Sequence, residues 1–357
     1  MRSIVLSLLA VLMVVSAGCA SQPSVMRWDG APADRASDGR VWPAPQTQEV
    51  PRYRYLGQLT GEANFRADDA RRGAWRDAWA WIAGLGERAE RPTELQRPLC
   101  GTVDARGRVL VGDVSRGAVF VFDEAGGRMD VWDEAAPGLR FISPVGIAAS
   151  ADGEVWVADA ELGRVFRLDA AGRPVGVVGA GQLQRPTGLA HDARTHRWFV
   201  ADGAAHDIKV FDDVGRLIDR WGRRGDGPGE FNLPTHLAFA HDRLYVTDGL
   251  NARVQTLDDQ GQAIGSIGRR GLYVGNLVRP KGVAADDEGN VYIVESMHDN
   301  LLVYDAQSRL LLALGGTGQD IGRFYLPAGV WIDGRNRVFV ADMFNGRVVV
   351  FQFLGGG

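Results

Sequence analysis

The sequence predicts an all-β fold, a six-bladed β-propeller of four-stranded sheets, and three observations support this class. An acidic residue that ends an apolar run recurs six times along the 357 residues, at intervals of 43 to 47 residues. Each acid is followed six positions later by an aliphatic residue, and a proline opens each unit. Glycine, with 47 residues, exceeds the roughly 7% of average proteins, which favours many turns over long helices. The repeat acids are Asp113, Asp159, Asp202, Asp248, Glu295 and Asp342, and the opening prolines are Pro98, Pro144, Pro186, Pro234, Pro280 and Pro327.

Each unit contains four short segments with a period of two residues. In the second unit they read "VGIAAS", "EVWVAD", "RVFRLD" and "PVGVVG", and turns rich in glycine and aspartate separate them. Four strands in about 45 residues are typical of one propeller blade. A large apolar residue stands three positions before each acid, and we interpret this position as packing between neighbouring blades. Its occupants are Leu110, Trp156, Phe199, Tyr245, Tyr292 and Phe339.

The last unit ends at "LGGG" without a fourth strand. Upstream of the first unit, residues 52–61 read "RYRYLGQLTG", which resembles the fourth strands "LIDRWGRRG" and "AIGSIGRRG". An unpaired sheet edge is a liability that a closed ring removes. We therefore expect residues 51–61 to complete the last blade. Residues 51–357 then form one domain, with the six repeats at 97–357.

Residues 62–96 interrupt the repeat pattern. Trp75, Trp79 and Ile82 have the spacing of one helical face, and Asp68 and Asp69 favour a helix start before them. This segment predicts one short helix inserted before the first repeat, which caps or plugs a face of the ring. A helix at a membrane surface and a docking helix for a partner are the alternatives.

The repeat strings resemble a known family. "LPTHLAFAHDRLYVTDGLNARVQTLDDQGQAIGSIG" and the linker "GRRGDGPGEFNLP" are similar to the NHL-repeat family of six-bladed β-propellers. The resemblance covers about residues 50 to 357 and implies the propeller fold. Members include enzymes, ligand sensors and platforms for RNA or protein, so the fold alone does not select a function.

The first 18 residues predict a lipoprotein signal peptide. Arg2 supplies positive charge, "IVLSLLAVLMVV" forms an apolar core, and "SAGC" ends with small residues before Cys19. This ending resembles the lipobox of bacterial lipoproteins, although Ser16 stands where Leu or Val is usual. The resemblance implies a lipid on Cys19. Because Ala20 and Ser21 follow, it also implies the periplasmic side of the outer membrane, with the cell surface or the inner membrane as alternatives.

Residues 19–50 are rich in Pro, Ser, Ala and charge, and they predict a tether between the membrane and the domain. If Cys19 is acylated, Cys100 has no disulfide partner, and stability comes from packing alone. The formal net charge of −4 argues against a nucleic-acid partner. The sequence also lacks the motifs of a serine nucleophile elbow, a haem attachment site and a phosphate-binding loop.

A carboxylate in every unit is typical of a cap that accepts backbone N–H groups, so we interpret the repeat acids as structural. Units three to five depart from the others. Unit four has His236 in place of the usual glycine after the proline. Because equivalent positions lie at one end of a propeller, we expect the atypical side chains to converge on the mouth of the central channel. The candidate binding residues are His206, Asp207, His236, Lys281, Glu295, Met297, His298 and Asp299.

Imidazole and carboxylate groups suit zinc, so a metal site of His206, His236 and His298, with zinc or calcium, is an alternative hypothesis. No cofactor is otherwise predicted. A relative within the resembled family, the peptidyl-hydroxyglycine amidating lyase, holds zinc with histidines directly after the opening proline of several blades. None of the corresponding residues here is histidine, which argues against that activity. They are Leu99, Val145, Thr187, Thr235, Lys281 and Ala328.

Two loops between units, "GRRGDGPGEF" and "GRRGLYVG", add Arg223, Arg224, Arg269 and Arg270 as a candidate basic patch for an anionic partner. The sequence favours a lipid-anchored scaffold without catalytic activity that binds a protein or ligand of the cell envelope. An envelope protein or complex is then the partner, and the lipid provides the contact with the membrane. A metal-assisted lyase or hydrolase at the channel mouth, and a small-molecule sensor, are the alternative functions. The residues of the catalytic alternative are His206, His236, His298 and Glu295.

Overall fold

The computed structural model describes residues 25–28, 40–47, 49–65 and 93–355, which form a ring of six antiparallel sheets. Two strands precede the first repeat, β1 (Val41–Trp42) and β2 (Tyr53–Leu59). Blade 1 contains β3 (Pro98–Val103), β4 (Val109–Asp113), β5 (Ala118–Asp123) and β6 (Arg128–Trp132), and a hairpin of β7 (Glu134–Ala136) and β8 (Leu139–Arg140) follows it. Blade 2 contains β9 (Pro144–Ala149), β10 (Val155–Asp159), β11 (Arg164–Leu168) and β12 (Pro174–Val178). Blade 3 contains β13 (Pro186–Asp192), β14 (Arg197–Asp202), β15 (Asp207–Asp212) and β16 (Leu217–Trp221).

The second half of the ring repeats this order from the inner to the outer strand. Blade 4 contains β17 (Pro234–Ala240), β18 (Arg243–Asp248), β19 (Arg253–Leu257) and β20 (Ala263–Ile267). Blade 5 contains β21 (Pro280–Ala285), β22 (Val291–Glu295), β23 (Asn300–Tyr304) and β24 (Leu310–Gly315). Blade 6 contains β25 (Val330–Ile332), β26 (Arg337–Asp342) and β27 (Arg347–Phe353).

Blade 6 is completed by the N-terminal strand, as the sequence predicts. β2 pairs antiparallel with β27, with Tyr55 opposite Phe351 and Leu59 opposite Val348. β1 adds a fifth strand on the outer edge of the same sheet. The inner strand β25 contacts both β21 and β3, so the ring of inner strands is closed. The all-β class, the six blades and the closing strand are therefore confirmed.

The large residues three positions before the repeat acids fill the seams between blades. Each is buried in a cluster that it shares with the following blade. Trp156 of blade 2, for example, stacks on Trp198 of blade 3 with ring centroids 4.2 Å apart. Phe339 of blade 6 lies in one cluster with Val111 and Phe120 of blade 1. Six similar apolar seams thus hold the ring together, which confirms the packing interpretation of this position.

The repeat acids are buried and act as caps, as predicted. In blade 2, Asp159 accepts the N–H groups of Ile142 and Ser143 before the opening proline, at 2.7 and 2.9 Å. Its other oxygen accepts the N–H groups of Glu161 and Leu162 in the following turn. Each acid thereby ties the second strand of its blade to the segment that enters the first strand. Equivalent bonds to the entering segment are made by Asp113, Asp202, Asp248, Glu295 and Asp342.

Several sequence predictions lie outside the described residues. The predicted helix with Trp75, Trp79 and Ile82 is among them, as are the signal peptide and Cys19. The helical elements that the structure describes are short 3₁₀ turns at Pro45–Thr47, Glu62–Phe65, Gly249–Asn251 and Met343–Asn345. Within the described part of the chain, no helix has the length and apolar character needed to cross a membrane.

Candidate functional site

One face of the ring carries all six repeat acids, the turns that follow them, and the loops that lead from one blade to the next. We call it the acid face. In blades 1 to 5 the opening proline pairs with the acid of its own blade, as Pro234 does with Asp248 and Pro280 with Glu295. The first residues of the inner strands therefore lie at the acid-face end of the central channel. This end contains two of the atypical residues, His236 and Lys281.

The channel is narrow and largely apolar at the level of His236. A cavity of about 40 Å³ lies there, and all six inner strands contribute to its wall. A second cavity of about 220 Å³ continues toward the opposite face. The first cavity has room for little more than one or two water molecules. The narrower cavity is lined by Cys100, Gly101, Val145, Gly146, Ile147, Gly188, Leu189, His236, Leu237, Val283, Gly329 and Val330.

His236 occupies a position at which four other blades have glycine. At Gly146, a Cβ atom would lie 2.0 Å from the carbonyl oxygen of Thr187, because the inner strands of neighbouring blades approach closely there. The backbone of the next blade would also obstruct a Cβ at Gly188, Gly282 and Gly329. Blade 4 instead accommodates an imidazole at this position. Both nitrogens of the His236 ring are buried, and neither has a hydrogen-bond partner among the described residues.

Burial and, second, the positive charge of Lys281 lower the pKa of His236 to about 3. The imidazole is therefore neutral at physiological pH, with one nitrogen able to donate and the other able to accept. Lys281 is the second residue of β21, the inner strand of the adjacent blade. Burial and then the charge of Arg279 lower the pKa of the Lys281 ammonium. Within the described part of the chain, no carboxylate influences the pKa of either group.

Thr235, the residue before His236, adds a further polar group at this end of the inner strand. Its hydroxyl is buried and has no hydrogen-bond partner within the described ranges. The equivalent Thr187 of blade 3 donates instead to the carbonyl oxygens of Ala201 and Pro234, both at 3.1 Å. We call Thr235, His236 and Lys281 the channel-mouth set. Sequence reasoning found His236 and Lys281 as departures from the repeat but did not single out Thr235 for binding.

The other two candidate histidines lie apart from the channel-mouth set. Nδ1 of His206 accepts the backbone N–H of Leu233 at 3.1 Å, which is a structural contact between blades 3 and 4. His298 lines a groove with Leu272 and Val274 over blade 5. Among residues 25–28, 40–47, 49–65 and 93–355, no group of three or more His, Cys, Asp or Glu side chains is placed to hold a metal ion. The structure thus does not bring His206, His236 and His298 into one metal-binding group.

The acidic candidates contact the protein itself. Asp299 accepts the N–H of Leu326 at 2.7 Å and the hydroxyl of Thr317 at 2.6 Å. Asp207 is buried and forms ion pairs with Lys209 and Arg220. Glu295 is buried and accepts the N–H groups of Val278, Arg279 and Met297, so it caps its blade as the aspartates do.

The arginines of the two inter-blade loops are exposed on the acid face. Arg223 forms an ion pair with Glu230 at 2.8 Å, and Arg270 donates to the carbonyl oxygen of Leu250 at 2.5 Å. Arg269 donates to the side-chain oxygen of Asn276 at 3.3 Å.

The loop between blades 4 and 5 has a feature that sequence reasoning missed, directly after Arg270. Leu272, Tyr273 and Val274 are exposed. The sequence contains a signal for this feature, because the loop between blades 3 and 4 has Asp, Gly and Pro at the matching positions.

Comparisons with known proteins agree with the fold. No protein-family model matches the chain. The peptidylglycine alpha-amidating monooxygenase of Rattus norvegicus is 31% identical over 113 residues, which cover 28% of this chain and 12% of that protein. The form A enzyme of Xenopus laevis is 32% identical over 117 residues, covering 29% and 12%. The chain thus spans about one eighth of the length of these curated relatives.

Solved structures show the same architecture at low sequence identity. Virginiamycin B lyase from Staphylococcus aureus matches with a TM-score of 0.53 and 13% identity, over 74% of this chain and 85% of that one. A protein of unknown function from Bacteroides thetaiotaomicron matches with a TM-score of 0.57 and 13% identity, over 72% and 70%. Likeness at this identity shows the fold alone. The chain is therefore a six-bladed β-propeller, part of whose sequence is similar to the peptidylglycine alpha-amidating monooxygenases.

Proposed function

We propose that the chain is an NHL-type propeller that binds an anionic group of a ligand or partner protein at the acid-face mouth of its channel. In this proposal it acts as a binding scaffold of the cell envelope and is held on the periplasmic side of the outer membrane by a lipid on Cys19. The repeat strings support the NHL assignment, and the similarity to the amidating monooxygenases is consistent with it. The anchoring rests on the lipobox-like ending at Cys19.

The observation that carries the binding function is that the buried side chains of Thr235 and His236 have no hydrogen-bond partner among the described residues and that His236 lies near the charge of Lys281. A half-buried ammonium, a buried hydroxyl and a neutral imidazole are together able to donate several hydrogen bonds. A carboxylate ligand would accept these bonds and restore the favourable charge environment that Lys281 lacks. Hydrogen bonds to charged groups are the stronger ones, and a partly desolvated site strengthens them further.

The carboxylates of the acid face are engaged as caps, and this favours a binding function rather than acid–base catalysis. Glu295, the catalytic candidate among them, is buried and accepts three backbone N–H groups. A carboxylate used in this way as a cap is a poor general base, because its lone pairs are already engaged. None of the described carboxylates influences the pKa of His236 or Lys281, which favours a role of the channel-mouth set as hydrogen-bond donors.

Binding is tested with succinate as the carboxylate probe and succinamide as its neutral counterpart. We expect succinate, and not succinamide, to raise the melting temperature of the full chain and to give a calorimetric binding signal. Lys281→Met removes the charge while keeping most of the side-chain volume, and it should weaken succinate binding about tenfold or more. The matched control is Arg173→Met, because Arg173 is exposed on a turn of the opposite face. Equal binding by the Lys281→Met and control variants would contradict the proposed site.

Anchoring is tested separately by mass spectrometry of the N-terminal peptide from membrane-extracted protein. The proposal expects Cys19 as the first residue, with a diacylglyceryl group on its sulfur. A mature N-terminus at another residue would contradict the lipid anchor. It would not affect the ligand site, which calorimetry tests independently.

A further inference from the structure

The loop between blades 4 and 5, residues 268–279, exposes three consecutive apolar side chains. Leu272 is 77% exposed, Tyr273 is 83% exposed and Val274 is 70% exposed. We call these three residues the apolar tip. Single exposed apolar residues are common on protein surfaces, but a run of three at the end of a loop is a candidate for contact with something outside the domain.

The backbone of this loop does not require apolar residues at its tip. The loop between blades 3 and 4, residues 222–233, has the same length and fold, with Asp226, Gly227 and Pro228 at the matching positions. A parallel bridge joins Arg224 to Phe231 in that loop, and the equivalent bridge joins Arg270 to Leu277 here. Because the two loops share these contacts, folding does not account for the apolar tip.

Other apolar and basic side chains extend the surface around the apolar tip. Met297, in the turn of blade 5, is 57% exposed, and Leu250, in the turn of blade 4, is 55% exposed. Arg269 and Arg270 are exposed at the base of the loop. An apolar tip flanked by arginines suits an interface with hydrocarbon beneath anionic headgroups, where aromatic rings such as that of Tyr273 also collect.

The loop lies over the outer part of blade 5. The hydroxyl of Tyr304, in β23, donates to the carbonyl oxygen of Gly275 at 2.9 Å. A Cβ atom at Gly275 would lie 3.0 Å from Leu310 of the outermost strand β24. Contact through the apolar tip therefore involves the outer part of blade 5 and not the inner strands that form the channel mouth.

The position at which the N-terminal segment meets the ring identifies the surface that the tip faces. Arg27 donates its N–H to the carbonyl oxygen of Asn64 at 2.6 Å, and Asn64 lies in the 3₁₀ turn Glu62–Phe65, shortly after β2 ends at the acid face. Trp28, one residue later, lies beside Gly57 in the middle of β2, so the segment leads upstream toward the acid face. Val25 is only six residues from Cys19, a distance of at most about 20 Å in extended chain.

We infer that the apolar tip inserts into the membrane to which the chain is anchored, with Arg269 and Arg270 beside anionic lipid headgroups. This inference rests on the proposed lipid anchor at Cys19. The anchor would hold the acid face close to the bilayer beside blade 6, and the apolar tip provides a second contact over the neighbouring blade 5. Two contacts would fix the orientation of the ring, whereas the lipid alone would let it rotate.

The test uses the full lipidated chain reconstituted into vesicles of phosphatidylethanolamine and phosphatidylglycerol. Leu272→Cys is labelled with an environment-sensitive NBD fluorophore, and Asp226→Cys, at the same position of the sister loop, is the matched control. Cys100 is buried and should label little, which the chain without an added cysteine measures. We expect a blue-shifted emission and quenching by doxyl lipids for the probe at position 272, and a water-like spectrum at position 226.

Flotation of the vesicles distinguishes the two ways of failing. If the protein does not float, the anchor is absent and the inference falls with it. If it floats but both probes report water, the anchor stands and the insertion of the apolar tip is wrong. Shielding of the probe at position 272 only after an envelope protein is added would assign the surface to a protein partner and overturn the membrane inference.

A loop exchange provides a second readout that does not depend on labelling at the tip. Leu272→Asp, Tyr273→Gly and Val274→Pro together copy the sister loop, so the fold should be retained. On vesicles, this exchange should make a probe at Met297→Cys more accessible to a water-soluble quencher. Unchanged accessibility would contradict the inference.

Discussion

Nδ1 of His206 accepts the backbone N–H of Leu233 across the seam between blades 3 and 4, at 3.1 Å. Asp299 accepts the N–H of Leu326 in the same way between blades 5 and 6, at 2.7 Å. His206 and Asp299 stand four residues after their repeat acids and have φ values of 59° and 54°, where blades 1, 2 and 6 have glycine. Leu233 and Leu326 also have positive φ. These two side chains therefore cap the segment that enters the next blade. Each accepts the N–H of the residue before the opening proline, which the repeat acid itself accepts in blades 1, 2, 3 and 5.

Replacing the His206 side chain should test this role. His206→Gly removes the acceptor without adding strain, because glycine adopts positive φ readily, and should lower the free energy of unfolding by about 1 kcal/mol. His206→Asn keeps a side-chain acceptor and tolerates positive φ, so it should remain closer to the original stability. Urea unfolding measures both. Equal losses for the two variants would indicate that the acceptor contributes little.

Two repeat acids should respond to pH in opposite directions. Burial acts to raise the pKa of Asp202, but the hydrogen bond from Lys209 and the N–H groups of Arg185 and Gln184 hold it below its usual value. Its contribution to stability is therefore complete above the unfolded pKa, near 3.9, and is lost as the pH falls through the lower folded pKa. The difference in unfolding free energy between the original chain and Asp202→Asn should thus shrink below about pH 4.

Asp342 is the matched opposite case. Burial raises its pKa above the usual value, despite the N–H of Tyr325 and the ion pair with Arg347. The stability contributed by proton binding is complete below the unfolded pKa and is lost as the pH rises through the folded pKa. The stability of the original chain relative to Asp342→Asn should therefore fall as the pH rises from 4. Urea titrations at matched pH values check both trends, and parallel trends would contradict the assignment.

Replacing His236 by glycine, the residue of four other blades, should change stability and ligand binding in opposite directions. His236→Gly removes two buried nitrogens that have no partner among the described residues, so we expect a gain of about 1 kcal/mol in unfolding free energy. The same change should weaken succinate binding severalfold. Thermal unfolding and calorimetry measure the two quantities. Lower stability with unchanged binding would show that the imidazole serves packing alone.

Cys100 should be chemically inert in the folded ring. Burial raises the pKa of its thiol to about 12, so the reactive thiolate is scarce at pH 8. Ellman's reagent should therefore react with it only as fast as the chain opens, and rapidly once urea unfolds the protein. Fast reaction in native buffer would mean that the seam between blades 1 and 2 is open.

The repeated features were predictable because each is a local pattern that occurs six times. The acid caps and the large seam residues follow from register and turn chemistry within one unit, and the closing strand β2 follows from the fourth strand that the last unit lacks. The contact between His206 and Leu233 was not predictable, because it depends on the positive φ of Leu233 and on the approach of two blades. The relation between His236 and Lys281 likewise arises only when neighbouring inner strands meet. The apolar tip became evident from its exposure, although comparison with Asp226–Pro228 in the sister loop contained the signal.

Blade 6 takes β2 from before the first repeat and β25 to β27 from after the fifth. During synthesis, β2 leaves the ribosome nearly three hundred residues before its partner β27 and waits with an open edge. The ring therefore closes only after β27 has been synthesised, so completion of the whole fold depends on this last strand. A chain that stops early in β27 would expose two unpaired strand edges, and such edges invite pairing between separate molecules.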